Sequence, residues 1–164
     1  MTPRPAAADF CDWPGLHRLI MDSFAYMDGV IDPPSSAHQL TPEILARKAQ
    51  DEHLYLSGDP LTGCGFFAPR PDALYIGKLA IAPGAQGRGL GRAFVAQAEA
   101  LARDLSLPKL QLETRIELTA NHAAFAALGF VTTAHKAHPG FDRPTSITME
   151  KPLAPLVAAP TGLI

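Results

Sequence analysis

The sequence predicts a mixed α/β fold of the α+β type, in which helices cover both faces of one sheet. Residues 74–115 run from an apolar strand through a glycine-rich turn and an alanine-rich helix to a second strand. This is the order of a right-handed crossover between parallel strands. Strands elsewhere adjoin one another through short turns, as in hairpins. The 164 residues suit a single domain over 1–164, with 153–164 as an extended or disordered tail.

The first half of the chain predicts two helices and a hairpin. The predicted elements are helices over 12–25 and 41–50 and strands over 53–57 and 63–67. Asp12 is a candidate N-cap, and Pro14 suits the first turn of a helix. Thr41, followed by Pro42 and Glu43, likewise indicates the start of a helix. Glycine, Pro-Pro and Ser-Ser within 28–40 indicate a loop.

The second half predicts four strands and two helices. The strands cover 74–82, 109–115, 131–136 and 145–151, and the helices run from the glycine-rich turn to about 105 and from 121 to 128. Leucine, phenylalanine and alanine recur at helical spacing in the first of these helices. The strand at 109–115 alternates, which places Glu113 and Arg115 on the face opposite Leu112. Asn121 is a candidate N-cap and Gly129 a candidate C-terminal glycine.

The turn Q-G-R-G-L-G-R at 86–92 carries the strongest functional signal. The first amides of a helix lack helical partners, and the helix dipole adds partial positive charge there. Glycines remove Cβ atoms that would keep a ligand away. Arg88 and Arg92 lie where cations are disfavoured unless an anion binds. The turn therefore predicts a phosphate or pyrophosphate site.

Three types of glycine-rich loop compete for this turn. A Walker loop requires Gly-Lys followed by Ser or Thr, which the turn lacks. A Rossmann loop requires G-x-G-x-x-G and an acidic residue about 20 positions on. Here the spacing is G-x-G-x-G, although Glu113 lies on the following strand. The third type is Q-x-x-G-x-G after a strand of the form L-A-I-x-P, and Gln86, Gly89 and Gly91 fit it without gaps.

This third pattern resembles the acyl-CoA loop of the GNAT superfamily of N-acetyltransferases. The resemblance continues at 121–130, N-H-A-A-F-A-A-L-G-F, and at the last predicted strand, and covers about residues 53–153. It implies a central mixed, mostly antiparallel sheet in which two parallel strands splay apart around the pantetheine arm of acetyl-CoA.

The resemblance also implies which residues bind the cosubstrate. Main-chain groups of the first splayed strand would pair with the pantetheine arm, and the turn would hold the diphosphate. The implied cofactor-binding residues are Leu79, Ala80, Ile81, Gln86, Gly87, Arg88, Gly89, Leu90, Gly91, Arg92, Asn121 and Phe125. Asn121 serves equally well as a plain helix cap.

The implied reaction transfers acetyl from acetyl-CoA to a primary amine by direct attack on the thioester. A general base must take a proton, because alkylamines are mostly protonated at neutral pH. The amide of Ile81 is a candidate donor to the developing oxyanion. Many family members carry a tyrosine that protonates the leaving thiolate, and here the matching position is Phe125, which has no proton to give.

Three residues are candidate catalytic groups. Glu113 is the first candidate base, with a surface ion pair beside Arg115 as its alternative role. Tyr75, at the start of the first splayed strand, is a candidate acid or substrate contact. His138 lies in a polar turn, H-P-G-F-D-R, and a histidine can serve as an acid or a base. His122 has the same chemistry but is expected on a helix surface.

Composition excludes several other classes of protein. The net charge of −2 gives no general attraction for nucleic acid or an anionic membrane. The two cysteines, Cys11 and Cys64, form neither a disulfide scaffold nor a zinc site, so no metal is expected. The sequence shows no signal peptide or membrane-spanning run, which predicts a cytoplasmic protein. A homodimer is an expectation from the family alone.

Two other functions remain open at this point. The chain could be a non-catalytic acyl-CoA sensor or structural subunit on the same fold, since Phe125 replaces the usual acid. It could also be a nucleotide-binding protein with an unusual glycine loop. The acceptor amine has no readable motif, although Asp22, Asp28 and Asp32 could attract a cation.

Overall fold

The computed structural model describes residues 2–155, in which four α-helices and seven strands are found. The strands are β1 (Arg4–Pro5), β2 (His53–Ser57), β3 (Gly63–Pro69), β4 (Leu74–Ile81), β5 (Lys109–Arg115), β6 (Val131–Lys136) and β7 (Ser146–Pro152). The helices are α1 (Trp13–Phe24), α2 (Pro42–Asp51), α3 (Leu90–Asp104) and α4 (Thr119–Ala127). Short 3-10 turns cover Ala25–Met27, Ser36–Gln39 and Pro83–Ala85. The predicted tail lies outside the described residues from 156 onward.

The strands form one sheet in the order β1-β2-β3-β4-β5-β7-β6. Only β4 and β5 run parallel within this described sheet, and every other neighbouring pair is antiparallel. The parallel pair is short, because its register holds at Leu74–Leu110 and Tyr75–Gln111 and then ends. The mixed, mostly antiparallel sheet with a splayed parallel pair is therefore confirmed.

Helices cover both faces of the sheet, as predicted. Leu16 and Ile20 of α1 and Leu45 of α2 pack with Phe66 of β3 on one face. The next residue of β3, Phe67, belongs to the core on the other face, together with α3. Successive side chains of a strand point to opposite faces, so β3 separates two cores. The splayed strands open between them.

Local capping signals set the starts of α1 and α2. The Asp12 carboxylate accepts a hydrogen bond from the Gly15 amide at 3.0 Å. The Thr41 hydroxyl accepts one from the Ile44 amide at 3.1 Å. Both predicted helix starts are confirmed, because each cap needs only residues three positions apart.

The start of α4 differs from the prediction. The helix begins at Thr119 with Leu118 as its N-cap, so Asn121 is not the cap. The Asn121 side chain instead donates to the Tyr26 hydroxyl at 3.1 Å. Tyr26, which is distant in the sequence, thus binds the Asn121 side chain that was predicted to cap the helix. The expected turn at Gly129 is present, with φ of +99° just after the helix.

A β-bulge interrupts β4, which the sequence prediction treated as one regular strand. Cys64 pairs with Ala80 but Phe66 pairs with Gly77, so β4 holds one residue more than β3 between these pairs. Lys78 lies in the bulge with a φ of +48°. Before the bulge, the even-numbered residues Leu74 and Ile76 face the core that includes α3. After the bulge, the odd-numbered residue Leu79 packs against the same core.

No helix in residues 2–155 is both long and apolar enough to cross a membrane. The same residues hold no cluster of three or more histidine, cysteine or acidic side chains able to bind a metal ion.

Candidate functional site

The glycine-rich turn connects β4 to α3 as the sequence predicts. The Gln86 side-chain amide donates to the Ile81 carbonyl at 3.3 Å, which holds the turn against the end of the strand. Gly87 and Gly89 have φ of +77° and +78°, a conformation that residues with a Cβ rarely adopt. Gly89 is the N-cap of α3, and its carbonyl accepts from the Ala93 amide at 3.0 Å. The two glycines therefore permit the sharp entry into the helix.

The first amides of α3 point out of the helix without protein partners. Among residues 2–155, the N–H groups of Leu90, Gly91 and Arg92 find no hydrogen-bond acceptor. A Cβ added at Gly87, Gly89 or Gly91 would meet no heavy atom within 4 Å. The space in front of these amides is thus open, and the helix dipole favours negative charge there.

Arg88 and Arg92 add two full positive charges beside these amides. Both side chains are exposed, and neither forms an ion pair with any carboxylate in the described part of the chain. The electrostatic field at the start of α3 is therefore uncompensated, and a bound anion would balance it.

A cleft of about 950 Å³ opens between the splayed strands and reaches the start of α3. Ten of the sequence-predicted site residues line it: Tyr75, Leu79, Ile81, Gln86, Gly91, Arg92, Glu113, Asn121, Phe125 and His138. The structure thus brings together residues that are up to 63 positions apart in the sequence. The turn residues Gly87, Arg88, Gly89 and Leu90 lie beside the cleft but outside its lining.

The main chain of β4 faces the cleft at Ile81. The Ala82 amide donates at 2.8 Å to the carbonyl of Thr62, which lies in the turn just before β3. Since main-chain groups alternate in direction along a strand, those of Ile81 point away from β3 and toward the gap. Ala80 differs from Ile81, because its main-chain groups face β3, where its register partner is Cys64, and because it is only 1% exposed. Of the three predicted β4 positions, Leu79 and Ile81 thus line the cleft and Ala80 does not.

Phe125 and Asn121 bring α4 to the cleft. The Phe125 ring packs edge-to-face on Phe130, with ring centroids 5.7 Å apart. This contact fixes the phenyl ring at the edge of the core beneath the cleft. The hydrogen bond from Asn121 to Tyr26 links α4 to the segment after α1 across the same opening.

Tyr75 lies where the β4–β5 pairing ends and lines the cleft. Burial, and to a smaller extent the negative charge of Glu113, raise the pKa of Tyr75 to about 12, while Arg70 opposes the rise. The Arg70 guanidinium carbon lies 3.9 Å from the centroid of the tyrosine ring. Tyr75 therefore keeps its proton at neutral pH and can donate a hydrogen bond, but it cannot serve as a base.

Glu113 lines the cleft, as its position on β5 predicts. Its ion-pair partner is not the neighbouring Arg115 but Lys136 of β6, whose Nζ lies 2.7 Å from Oε1. The carboxylate is about one-third exposed, so it contacts both the cleft and the solvent.

His138 lines the cleft and is held by Thr145. The His138 amide donates to the Thr145 hydroxyl oxygen at 2.9 Å, and the ring Nδ1 also contacts that oxygen. The Thr145 hydroxyl in turn donates to the Lys136 carbonyl at 3.3 Å. His122, by contrast, lies outside the cleft lining, and its Nε2 pairs with the Arg115 carbonyl at 2.9 Å.

Lys78 and Arg115 also line the cleft. The sequence analysis proposed no role for Lys78 and considered Arg115 only as a neighbour of Glu113. Lys78 could have been found from the pattern L-Y-I-G-K-L-A-I, because apolar residues change phase at Gly-Lys. Such a phase change indicates a bulge, and bulges redirect side chains near active sites. No local signal points to Arg115, whose side chain donates to the carbonyl of Pro34, 81 positions away in the sequence.

The sequence matches a family model described as the acetyltransferase (GNAT) family over residues 13–130. The chain belongs to the GNAT acetyltransferase family. The matched part runs from α1 to Phe130, so it includes the glycine-rich turn, both splayed strands and α4.

Solved structures share the GNAT fold of this chain. The ribosomal-protein-S18-alanine N-acetyltransferase from Escherichia coli has a TM-score of 0.67 and 18% identity, with 99% of this chain and 98% of that chain covered. The PaiA N-acetyltransferase from Thermoplasma acidophilum, in complex with coenzyme A, has a TM-score of 0.74 and 15% identity, with 93% and 100% covered. A GNAT family acetyltransferase from Elizabethkingia anophelis with acetyl-CoA bound has a TM-score of 0.65 and 18% identity, with 93% and 97% covered. No curated protein matches the sequence.

Proposed function

We propose that this GNAT protein transfers an acetyl group from acetyl-CoA to a primary amine by direct attack. The proposal rests above all on one observation. A single cleft joins the unpartnered amides at the start of α3 to the open main-chain edge of β4. The first feature suits a diphosphate, and the second suits an extended amide-containing arm.

The residues around the cleft fit acetyl-CoA. The amides of Leu90, Gly91 and Arg92, with the charges of Arg88 and Arg92, would hold the diphosphate. Leu79 and Ile81 would pair with the pantetheine arm. Asn121 and Phe125 would contact the same arm from α4. When bound, acetyl-CoA supplies a thioester that a neutral amine attacks, with a thiolate as the leaving group. The structural neighbours from Elizabethkingia anophelis and Thermoplasma acidophilum bind acetyl-CoA and coenzyme A, respectively, which supports the choice of ligand.

We assign the proton-accepting role to the Nε2 atom of His138. The Thr145 hydroxyl has one proton, and its geometry directs that proton to the Lys136 carbonyl. The hydroxyl oxygen then accepts from the His138 amide and from a protonated Nδ1. This tautomer leaves an unprotonated Nε2 on the cleft-lining ring, and such an imidazole nitrogen can accept a proton.

The leaving thiolate needs no acid from α4. A thiol has a pKa of about 8.5, so its anion leaves readily at neutral pH. Phe125 is consistent with this route, because its ring offers packing and no proton. The Ile81 amide, which faces the gap, is placed to donate to the oxygen that gains charge.

The function is tested by measuring free thiol when purified protein, acetyl-CoA and a broad panel of amines are combined. The proposal expects amine-dependent thiol release, with the acetylated amine identified by mass spectrometry. Acetyl-CoA binding without turnover of any amine would favour a sensor. Displacement of acetyl-CoA by NAD or ATP at similar concentration would instead favour a nucleotide-binding protein.

Replacing His138 by glutamine is expected to lower kcat by about 100-fold at pH 7, because a positioned general base contributes at least that factor. Glu113→Gln is expected to cost about tenfold or less, since Glu113 is engaged by Lys136. His122→Gln serves as the matched control, because that ring lies outside the cleft lining. A larger loss of kcat from Glu113→Gln than from His138→Gln would transfer the base role to Glu113.

A further inference from the structure

We propose that the acceptor is a small amine that also carries a carboxylate, and that Lys78 and Arg115 bind this carboxylate. The inference rests on the proposed function and names the substrate class of the same cleft. Both cations line the cleft, and neither forms an ion pair among residues 2–155.

Lys78 is directed into the cleft by the bulge of β4. Its Nζ donates to the Ser36 hydroxyl at 2.9 Å. This neutral contact leaves two of the three ammonium donors available for a ligand. Burial lowers the pKa of Lys78, and the nearby cations Lys48 and Arg115 lower it further. A bound carboxylate would remove this electrostatic cost.

Arg115 has unused hydrogen-bonding capacity at the end of β5. Its Nη2 donates to the Pro34 carbonyl at 2.9 Å, while its buried Nη1 has no partner. Glu117 and Asp32 attract the guanidinium, but neither forms an ion pair with it among the described residues, and the buried Oε1 of Glu117 also has no hydrogen-bond partner. Glu117 accepts from the Asp32 amide at 3.0 Å, and the Asp32 carboxylate lies 3.1 Å from Arg143. Arg115 thus offers a planar donor group that suits a carboxylate.

Two other charged side chains that line the cleft are paired within the protein. Lys48, which also lines the cleft, pairs with Glu52 at 2.6 Å. The cleft carboxylate Glu113 pairs with Lys136. Asp22 lines both this cleft and a second cavity, so it lies at the boundary between the two. Among residues 2–155, Lys78 and Arg115 are therefore the cations at this end of the cleft that form no ion pair.

This positive charge selects among amines. Neighbouring cations disfavour a second cation, so a simple alkylammonium would be repelled. An amino carboxylate carries its own negative charge, which Lys78 and Arg115 would attract. The same cations would lower the pKa of its ammonium group and so help to produce the neutral amine that attacks.

The segment 25–40 closes over the acceptor side of the cleft and favours a small molecule. Its hydrogen bonds to distant residues include those of Tyr26 to Asn121, Asp32 to Glu117 and Arg143, Pro34 to Arg115 and Ser36 to Lys78. These partners lie in α4, the β5–α4 connection, the β6–β7 connection, β5 and β4. A protein terminus would need an open groove, whereas a free amino carboxylate fits beneath this segment.

The test compares free amino carboxylates of increasing length with the amino alcohols of the same length, using thiol release. We expect the carboxylates to have a kcat/KM about tenfold or more above their matched alcohols. Lys78→Gln and Arg115→Gln should each raise KM for the carboxylates by about tenfold and leave the Kd of acetyl-CoA unchanged. Arg47→Gln is the control for net charge, because Arg47 is exposed on α2 outside the cleft lining.

Calorimetric titration of the same amines into protein saturated with coenzyme A separates this inference from the proposed function. Carboxylate binding that depends on Lys78 and Arg115, without thiol release, would support the site and overturn the acetyltransferase proposal. Equal or better turnover of the amino alcohols would support the enzyme and overturn the carboxylate site. Preference for short acidic peptides over free amino carboxylates would overturn the small-molecule assignment.

Discussion

Replacing Gly89 by valine is expected to weaken acetyl-CoA binding by at least about 100-fold, or roughly 3 kcal/mol. Gly89 has a φ of +78° and is the N-cap of α3. A β-branched residue disfavours this conformation by about 1–2 kcal/mol, so the turn would rotate its amides away from the ligand. The new side chain would also occupy the open space in front of the helix. Affinity is measured by isothermal titration calorimetry.

Gly140→Val is the matched control for this change. Gly140 has a φ of +85° and, like Gly89, no heavy atom within 4 Å of an added Cβ. The control therefore introduces similar backbone strain in the β6–β7 connection, away from the amides of α3. Both variants are expected to retain the wild-type circular dichroism spectrum. An unchanged Kd for Gly89→Val would contradict the assignment of the turn as the diphosphate site.

Replacing Phe94 by alanine is expected to lower the free energy of unfolding by about 3–5 kcal/mol. Phe94 is 0% exposed and lies at the centre of the core between α3 and the sheet. A Cβ placed on Gly63 would lie only 2.7 Å from its ring, so the glycines of β3 make room for this side chain. Because glycine has no side chain to fill the space, the substitution would leave a cavity.

Chemical denaturation measures this loss, and the melting temperature should fall by about 10 °C or more. Val131→Ala is the control, since Val131 is 56% exposed and its removal should change stability by about 0.5 kcal/mol or less. Equal effects of the two substitutions would contradict the described packing of α3 on β3.

Most secondary structure followed from local signals. The bounds of β5 and β6 were predicted residue for residue, and the starts of α1 and α2 followed from Asp12 and Thr41. Capping and strand alternation act between residues a few positions apart, so they are visible in the sequence. The two-residue strand β1 was not predicted, because so short a segment carries no periodic pattern.

Two local features were misjudged for different reasons. The bulge at Lys78 left a visible signal, since the apolar positions of β4 change phase there. The cap of α4 left no such signal, because the Asn121 side chain is used by Tyr26, 95 residues away. Local preference is weak enough that one tertiary hydrogen bond can redirect a side chain.

The same distinction between local signals and long-range contacts applies to the candidate site. The catalytic proposals depend on partners distant in the sequence, such as Thr145 with the ring of His138 and Lys136 with Glu113. The pairing of Glu113 with Lys136 rather than with Arg115 could be seen only after β5, β7 and β6 came together. The charge and protonation of each group follow from these neighbours.

The sequence by itself determined the glycine-rich turn, because the left-handed glycines and the free amides at a helix start depend on adjacent residues. Tertiary structure alone decided the side of the cleft to which we assign the acceptor. Lys78, Arg115 and the segment 25–40 meet only when β4 and β5 part and distant hydrogen bonds draw that segment across them. Electrostatic selectivity depends on how charges are arranged in space, and that arrangement is a property of the folded chain.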